Sequence, residues 1–269
     1  MFLSLASLAL AQTPAEFWQK PLKEGVEPAK ATVVLVITAP ETGTATSVIV
    51  RDSTNLPEQL GKFEPDGILT VEADKSTKAN VLAALAELRK YGRGVVIIDG
   101  PWVGGDFEDP VLLTVDAKAD DRKTGIRARD LLAQLDGGQE WVAVIAPTFA
   151  PGMTPSGESY IGLDADQWAS FAPSTMNGYF LTSHADVGTP PSATCNVRFT
   201  HVLGNSVNAH YGSGHDLTFD ELTKLAKREA GLTPACGFAP EARYTGNLAP
   251  PRVMLVGSGI LPEPDAPVT

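Results

Sequence analysis

The sequence predicts an α/β protein, a mainly parallel sheet with helices on both faces. Three observations carry that expectation. Continuous Val/Leu/Ile runs lie within Thr32 to Thr38 and Gly94 to Asp99, and Trp141 to Ala146 reads as a further strand. Such runs suit strands buried on both faces, whereas strands with one wet face alternate apolar and polar residues. Between them lie stretches with apolar residues at helical spacing, and Gly- and Pro-rich turns separate the two kinds of segment. Strands alternating with amphipathic helices are the pattern of a parallel sheet covered on both sides.

The elements follow in chain order. Gln12 to Lys30 carries Pro14, Pro21 and Pro28 and reads as an extended arm. Thr32 to Thr38 is the first core strand, Ser47 to Arg51 a short strand candidate, and Gly67 to Ala73 the second core strand. Thr77 to Tyr91 is a helix, with Val81, Leu82, Leu85 and Leu88 on one face, Ser76 or Asp74 as cap, and Gly92 and Gly94 at its end. Gly94 to Asp99 is the third strand, and Val111 to Val115 part of a hairpin. Ile126 to Leu135 is a helix stopped by Gly137-Gly138, and Trp141 to Ala146 is the fourth strand. A Pro/Gly/Ser-rich loop spans Pro147 to Gly162. Asp166 to Phe171 reads as a short helix and Gly178 to Ser183 as the fifth strand. Phe219 to Ala230 is a helix that Thr218 can cap and Gly231 can end, and Arg252 to Val256 is a last strand candidate. The expected organisation is one domain over residues 31–258, the arm over 12–30, and a Pro-rich tail over 259–269.

Composition narrows the function classes. With 43% hydrophobic residues in 269, the chain can build a sizeable core. Its 21 basic and 32 acidic side chains give a net charge of -11, a field that repels phosphate backbones and anionic bilayers, so nucleic acid is not an expected partner. No stretch approaches the roughly 20 apolar residues that span a bilayer. Residues 1–11 carry no charge, and Ala9-Leu10-Ala11 has the small-x-small form of a secretory cleavage site, with Gln12 as the mature start. The basic n-region of such a signal is missing, and a buried strand or helix is the other reading. Export is the expectation, periplasmic or extracellular. An oxidising compartment would join the two cysteines, Cys195 and Cys236, in a disulfide. Closing that loop would stabilise the fold by about 4 kcal/mol in the entropic account. Two unrelated buried thiols are the alternative.

Five phrases carry a resemblance. They are Ser76 to Leu85, Val95 to Gly100, Val111 to Ala117, Gly125 to Leu135 and Val142 to Gly152. Their order resembles that of the caspase-like peptidases, in particular bacterial orthocaspases and metacaspases. There a Thr-Lys-x-Asn helix precedes an apolar strand ending in Ser-Gly-His-Gly. A hairpin with Leu-x-x-x-Asp-Ala follows, then a helix, then a strand ending in Asp-x-Cys-x-Ser-Gly. The resemblance implies a caspase-like fold. It also implies that Gly94–Asp99 lies beside Trp141–Ala146, so that Pro101 and Thr148 emerge next to each other. Peptidase chemistry needs a Cys thiolate to attack the carbonyl and a His to move the proton. Here Pro101 stands at the His position, Thr148 at the Cys position, and Ala146 at the Asp that helps form a pocket for a basic substrate side chain. A proline ring neither donates nor accepts a proton. The resemblance therefore implies a catalytically degenerate member, with no catalytic residue and no cofactor.

Other side chains are weaker candidates. Ser183-His184 ends the fifth strand, but neighbours in sequence do not make a triad. His210, His215 and Asp216 can supply metal ligands, yet they surround a Gly-rich loop rather than one helix face. Cys195 with His201 or His184 is a second nucleophile pairing, less favoured than the disulfide. The acids Asp106, Glu108, Asp109, Asp116, Asp120 and Asp121 read as a solvated face, with weak calcium binding as the sharper alternative. Gly100 to Gly105 is Gly-rich but lacks the Lys-Ser/Thr of a phosphate loop. A binding cleft is expected around Asp99, Trp102, Phe149, Ser183 and His184. The leading functional expectation is a non-catalytic module that binds a protein partner in an exported assembly. The alternatives are an enzyme with unrelated hydrolytic chemistry on the same sheet, and a structural exported domain.

Overall fold

A computed structural model describes residues 14–39, 56–103, 109–118, 121–136, 140–147, 163–183, 198–245 and 253–255. In chain order the strands are β1 (Trp18–Lys20), β2 (Thr32–Thr38), β3 (Gly67–Val71), β4 (Arg93–Gly100), β5 (Trp102–Val103), β6 (Val111–Leu112), β7 (Ile126–Arg127), β8 (Glu140–Pro147), β9 (Asn177–Thr182), β10 (Leu217–Thr218), β11 (Glu241–Thr245) and β12 (Val253–Leu255). The helices are α1 (Leu56–Gly61), α2 (Lys78–Leu88), α3 (Ala128–Ala133), α4 (Ala165–Ser170), α5 (Phe199–Tyr211) and α6 (Phe219–Gly231).

The main sheet runs β1-β3-β2-β4-β8-β9-β11. Its five central strands are all parallel, and they are the five core strands read from the sequence. The short strands at either edge, β1 on β3 and β11 on β9, are antiparallel. The alternation of a strand explains why the core runs are apolar throughout. Val33, Leu35 and Ile37 point into one layer with α2, α3 and α4, while Val34 and Val36 point into the other with α1, α5 and α6. Strand β4 divides likewise, Val96 and Ile98 to the first layer, Val95 and Ile97 to the second. Burying each such side chain stabilises the fold by roughly 1.5–3 kcal/mol, so every position in the run is used.

Several boundaries differ from the sequence reading. The cap of α2 is Thr77, whose hydroxyl accepts from the Asn80 amide, while the Ser76 hydroxyl turns back to the Ala73 carbonyl. Ile126 is not helical. It pairs with Leu112, so that β5, β6 and β7 make a separate three-stranded antiparallel sheet, and α3 begins only at Ala128. The last strand, β12, pairs with β10 in a two-stranded ribbon outside the main sheet. The arm is not merely extended. Trp18 pairs with Leu69, its ring meets Tyr91 edge-on at 5.8 Å, and it fills the space above Gly67, where a Cβ would lie 2.5 Å from the indole. Helix α5 was not expected at all. Its Phe199, Val202, Leu203 and Val207 have helical spacing and are buried against the sheet, which outweighs the poor helix formers Gly204, Asn205, Ser206 and Asn208. The Ser47–Arg51 candidate, residues 1–11 and the 259–269 tail lie outside the described residues.

Candidate functional site at the strand ends

The chain reverses its direction of growth across the sheet between β2 and β4, and in open α/β sheets the carboxyl ends near such a reversal are where ligands bind. Strands β4 and β8 run side by side in unbroken register from Arg93 opposite Glu140 to Gly100 opposite Pro147. Pro101 therefore follows directly on Gly100, which lies opposite the residue that precedes Thr148. Thr148, Phe149, His184 and Cys195 themselves lie outside the described residues. Pro101 is buried, and its carbonyl accepts a 2.9 Å hydrogen bond from the Leu113 amide, which ties the end of β4 to the β5–β6 hairpin.

On the face toward α5 a row of positions crosses the strand ends. Thr38 is opposite Asp99, Asp99 is opposite Ala146, and the Ser183 amide donates to the Ile145 carbonyl next door at 3.4 Å. Asp99 is fully buried. Alternation along β4 turns its side chain to the N-terminal turn of α5. There its Oδ2 accepts from the Thr200 hydroxyl at 2.9 Å and from the Arg198 guanidinium at 3.3 Å. A buried carboxylate costs several kcal/mol of desolvation unless it is paired and hydrogen-bonded, and these two partners compensate that cost at Oδ2. Neither Arg198 nor Thr200 was singled out from the sequence. A buried Asp demands a cation, but nothing in a single sequence says which of the chain's arginines supplies it. Asp99, Thr200 and Ser183 are all closed off from solvent, and through Asp99 this row holds α5 to the sheet. The Ser183 Oγ has no hydrogen-bond partner among the described residues.

The opposite face holds the aromatics. Trp102 is 1% exposed and packs edge-on against Trp168 of α4, with ring centroids 4.8 Å apart. It is thus a core side chain beneath the strand ends, not a rim for a ligand to touch. His210 is placed on the last turn of α5 rather than in a loop. Its ring stacks on Phe63, centroids 6.1 Å apart, and one ring nitrogen lies 2.8 Å from the Asp216 carbonyl oxygen. His215 is exposed in the turn that follows. Among the described residues, no three His, Cys, Asp or Glu side chains come together as a metal set. Three of the scattered acids act on backbone instead. Asp116 accepts from the Lys78 amide at the start of α2, Asp109 from the Arg129 amide in the first turn of α3, and Asp121 from the Lys123 amide. Cys236 is buried, and its expected partner, Cys195, lies outside the described residues.

No family model matches the sequence, and no curated protein matches it. Among solved structures the chain is similar to a procaspase, pro-Sf-caspase-1, with 12% sequence identity and a TM-score of 0.50. The superposition covers 90% of this chain and 97% of the procaspase. At that identity the likeness is one of architecture, and with the parallel order of β3, β2, β4, β8 and β9 it establishes that this chain has a caspase-like α/β fold.

Proposed function

We propose that the chain is a caspase-like protein that does not hydrolyse peptide bonds and acts by binding a protein partner at the carboxyl ends of its sheet. The observation that carries this reading is Pro101 at the end of β4, directly beside the end of β8. In the family that the sequence resembles, a proton must move at that place. A proline ring cannot move one, and the Pro101 carbonyl is already committed to Leu113. The Asp99 carboxylate, two residues before Pro101, is held by Arg198 and Thr200 and is sealed from solvent, so it offers no replacement base. That sealing also weighs against unrelated hydrolytic chemistry at the same strand ends.

The direct test is turnover of peptides with Arg, Lys or Asp before the scissile bond. No product above a blank is expected. Cleavage that disappears in a Thr148→Ala variant would overturn the reading. We further propose export, with Cys195 and Cys236 bridged. Thiol titration of denatured, unreduced protein from its native compartment should find no free thiol, and mass spectrometry should place the mature start near Gln12. Two titratable thiols would sink the bridge, and an intact 1–11 segment would sink the cleavage.

A further inference from the structure

We propose that β5, β6 and β7 form a platform able to open from the strand ends as its own unit, and that a latch made by Lys78 and Asp116 holds it shut. The platform's ladders are short, Trp102 with Leu112, Val103 with Val111, Val111 with Arg127, and Leu112 with Ile126, and none of its strands belongs to the main sheet. Its outer side chains Val103, Val111 and Leu113 form a small apolar cluster separate from the two large ones. Its inner side chains Trp102, Leu112 and Ile126 close over the main core. Leu112 sits on the last residue of β4, since a Cβ on Gly100 would lie 3.0 Å from its Cδ1. Opening the platform therefore uncovers the end of β4.

The rest of the attachment is polar, and its side-chain bonds centre on Lys78 and Asp116. The Lys78 amide donates to the Asp116 carboxylate at 2.9 Å, and the Thr114 hydroxyl donates to the same oxygen at 2.7 Å. The Lys78 ammonium donates to the Gly125 carbonyl at 2.7 Å and lies 3.5 Å from the Lys123 carbonyl. Lys78 thus grips the segment after β6 with its backbone and the segment before β7 with its side chain. Among the described residues two backbone bonds run alongside, from the Val115 amide to the Ser76 carbonyl at 3.1 Å and from the Leu113 amide to the Pro101 carbonyl at 2.9 Å. Short ladders held by solvent-reachable bonds are the features of a unit that opens below the cost of global unfolding. On the reading that a partner binds at the strand ends, the latch governs access to them.

Hydrogen exchange of the full chain, read by mass spectrometry, tests the proposal. In the wild type, amides of Leu112, Leu113 and Ile126 should exchange faster than those of Val34, Leu35 and Ile97. In Lys78→Met, which keeps the aliphatic stem, the platform amides should speed up by about tenfold, as expected for losing bonds to a charged group, while the sheet amides stay unchanged. Platform amides that exchange at the sheet's rate in the wild type would overturn the proposal, whether or not the variant folds. Equal acceleration of platform and sheet in Lys78→Met would also overturn it. Failure of the non-catalytic reading would appear separately, as turnover in the peptidase assay, and would leave these rates as they are.

Discussion

The bodies of β4 and β8 and their carboxyl ends are built on different principles. Over Val95 to Ile98 and Ala143 to Ile145 the strands are held by apolar burial on two faces. Burial is non-directional and tolerates many sequences. At the ends, within two residues, the contacts become directional. At the end of β4 they are the Asp99 pair with Arg198 and the Pro101 carbonyl with Leu113. The lesson is that a sheet can keep its strand order while the groups at its ends change character, because the body alone specifies which strands are neighbours.

That contrast can be broken at its apolar side first. Trp141 is fully buried, with its ring against Gly94. Trp141→Ala should cost roughly 3–5 kcal/mol through lost burial and a cavity, read as a lower denaturant midpoint with unchanged slope. A loss under 1 kcal/mol would mean that the body is not what holds the sheet.

The polar side should be nearly as sensitive, but asymmetrically. Arg198→Met leaves the Asp99 carboxylate, 1% exposed, without its cation, and should cost about 3 kcal/mol. Asp99→Ala should cost less, because Arg198 is 14% exposed at its side chain and can turn to water. Equal losses in the two variants would contradict the burial argument.

A smaller effect sharpens the same comparison on α6, away from the strand ends. Thr218 caps α6 and shares a capping box with Glu221. Thr218→Ala should cost about 1 kcal/mol, with no change in exchange of the platform amides.

The smallest effects are in pH. The Glu221 carboxyl is held below its usual range, chiefly by the hydrogen bond with the Thr218 side chain. A depressed carboxylate contributes stability that is present above its unfolded value and fades as pH falls through the folded one. Tyr91 behaves in the opposite sense. Burial first, then the hydrogen bond to Glu87, push its hydroxyl up to about 12. Its contribution is complete below the ordinary tyrosine value near 10 and is lost as pH rises toward 12. Stability curves of Thr218→Ala should therefore lose part of the acid slope, and those of Tyr91→Phe part of the alkaline slope. Unchanged slopes would remove these two groups from the account.

Much of the fold was legible because its signals are local or periodic. The five core strands appear as apolar runs bounded by turn residues, α2 and α6 as apolar stripes, α6 with its Thr218 cap, and α4 as a short helix. Helix α5 was missed although Phe199, Val202, Leu203 and Val207 carry the helical period, because Gly204 and the surrounding Asn and Ser residues mask it locally. Ile126 was read as helical because its apolar side chain fits the stripe of α3, whereas pairing with Leu112 makes it a strand.

By itself the sequence determined the class of fold, the identity of the central strands and the chemical silence of Pro101, since those follow from hydrophobic period and from what a side chain can and cannot do. Only the tertiary structure decided that Asp99 is paired with Arg198 and Thr200, that Trp102 lies inside the core, that Lys78 reaches both Asp116 and Gly125, and that His210 belongs to a helix. These are contacts between segments far apart in the chain. A buried charge or indole announces in sequence that it needs a partner, but which distant residue meets it depends on how the sheet and its two helical layers close around each other.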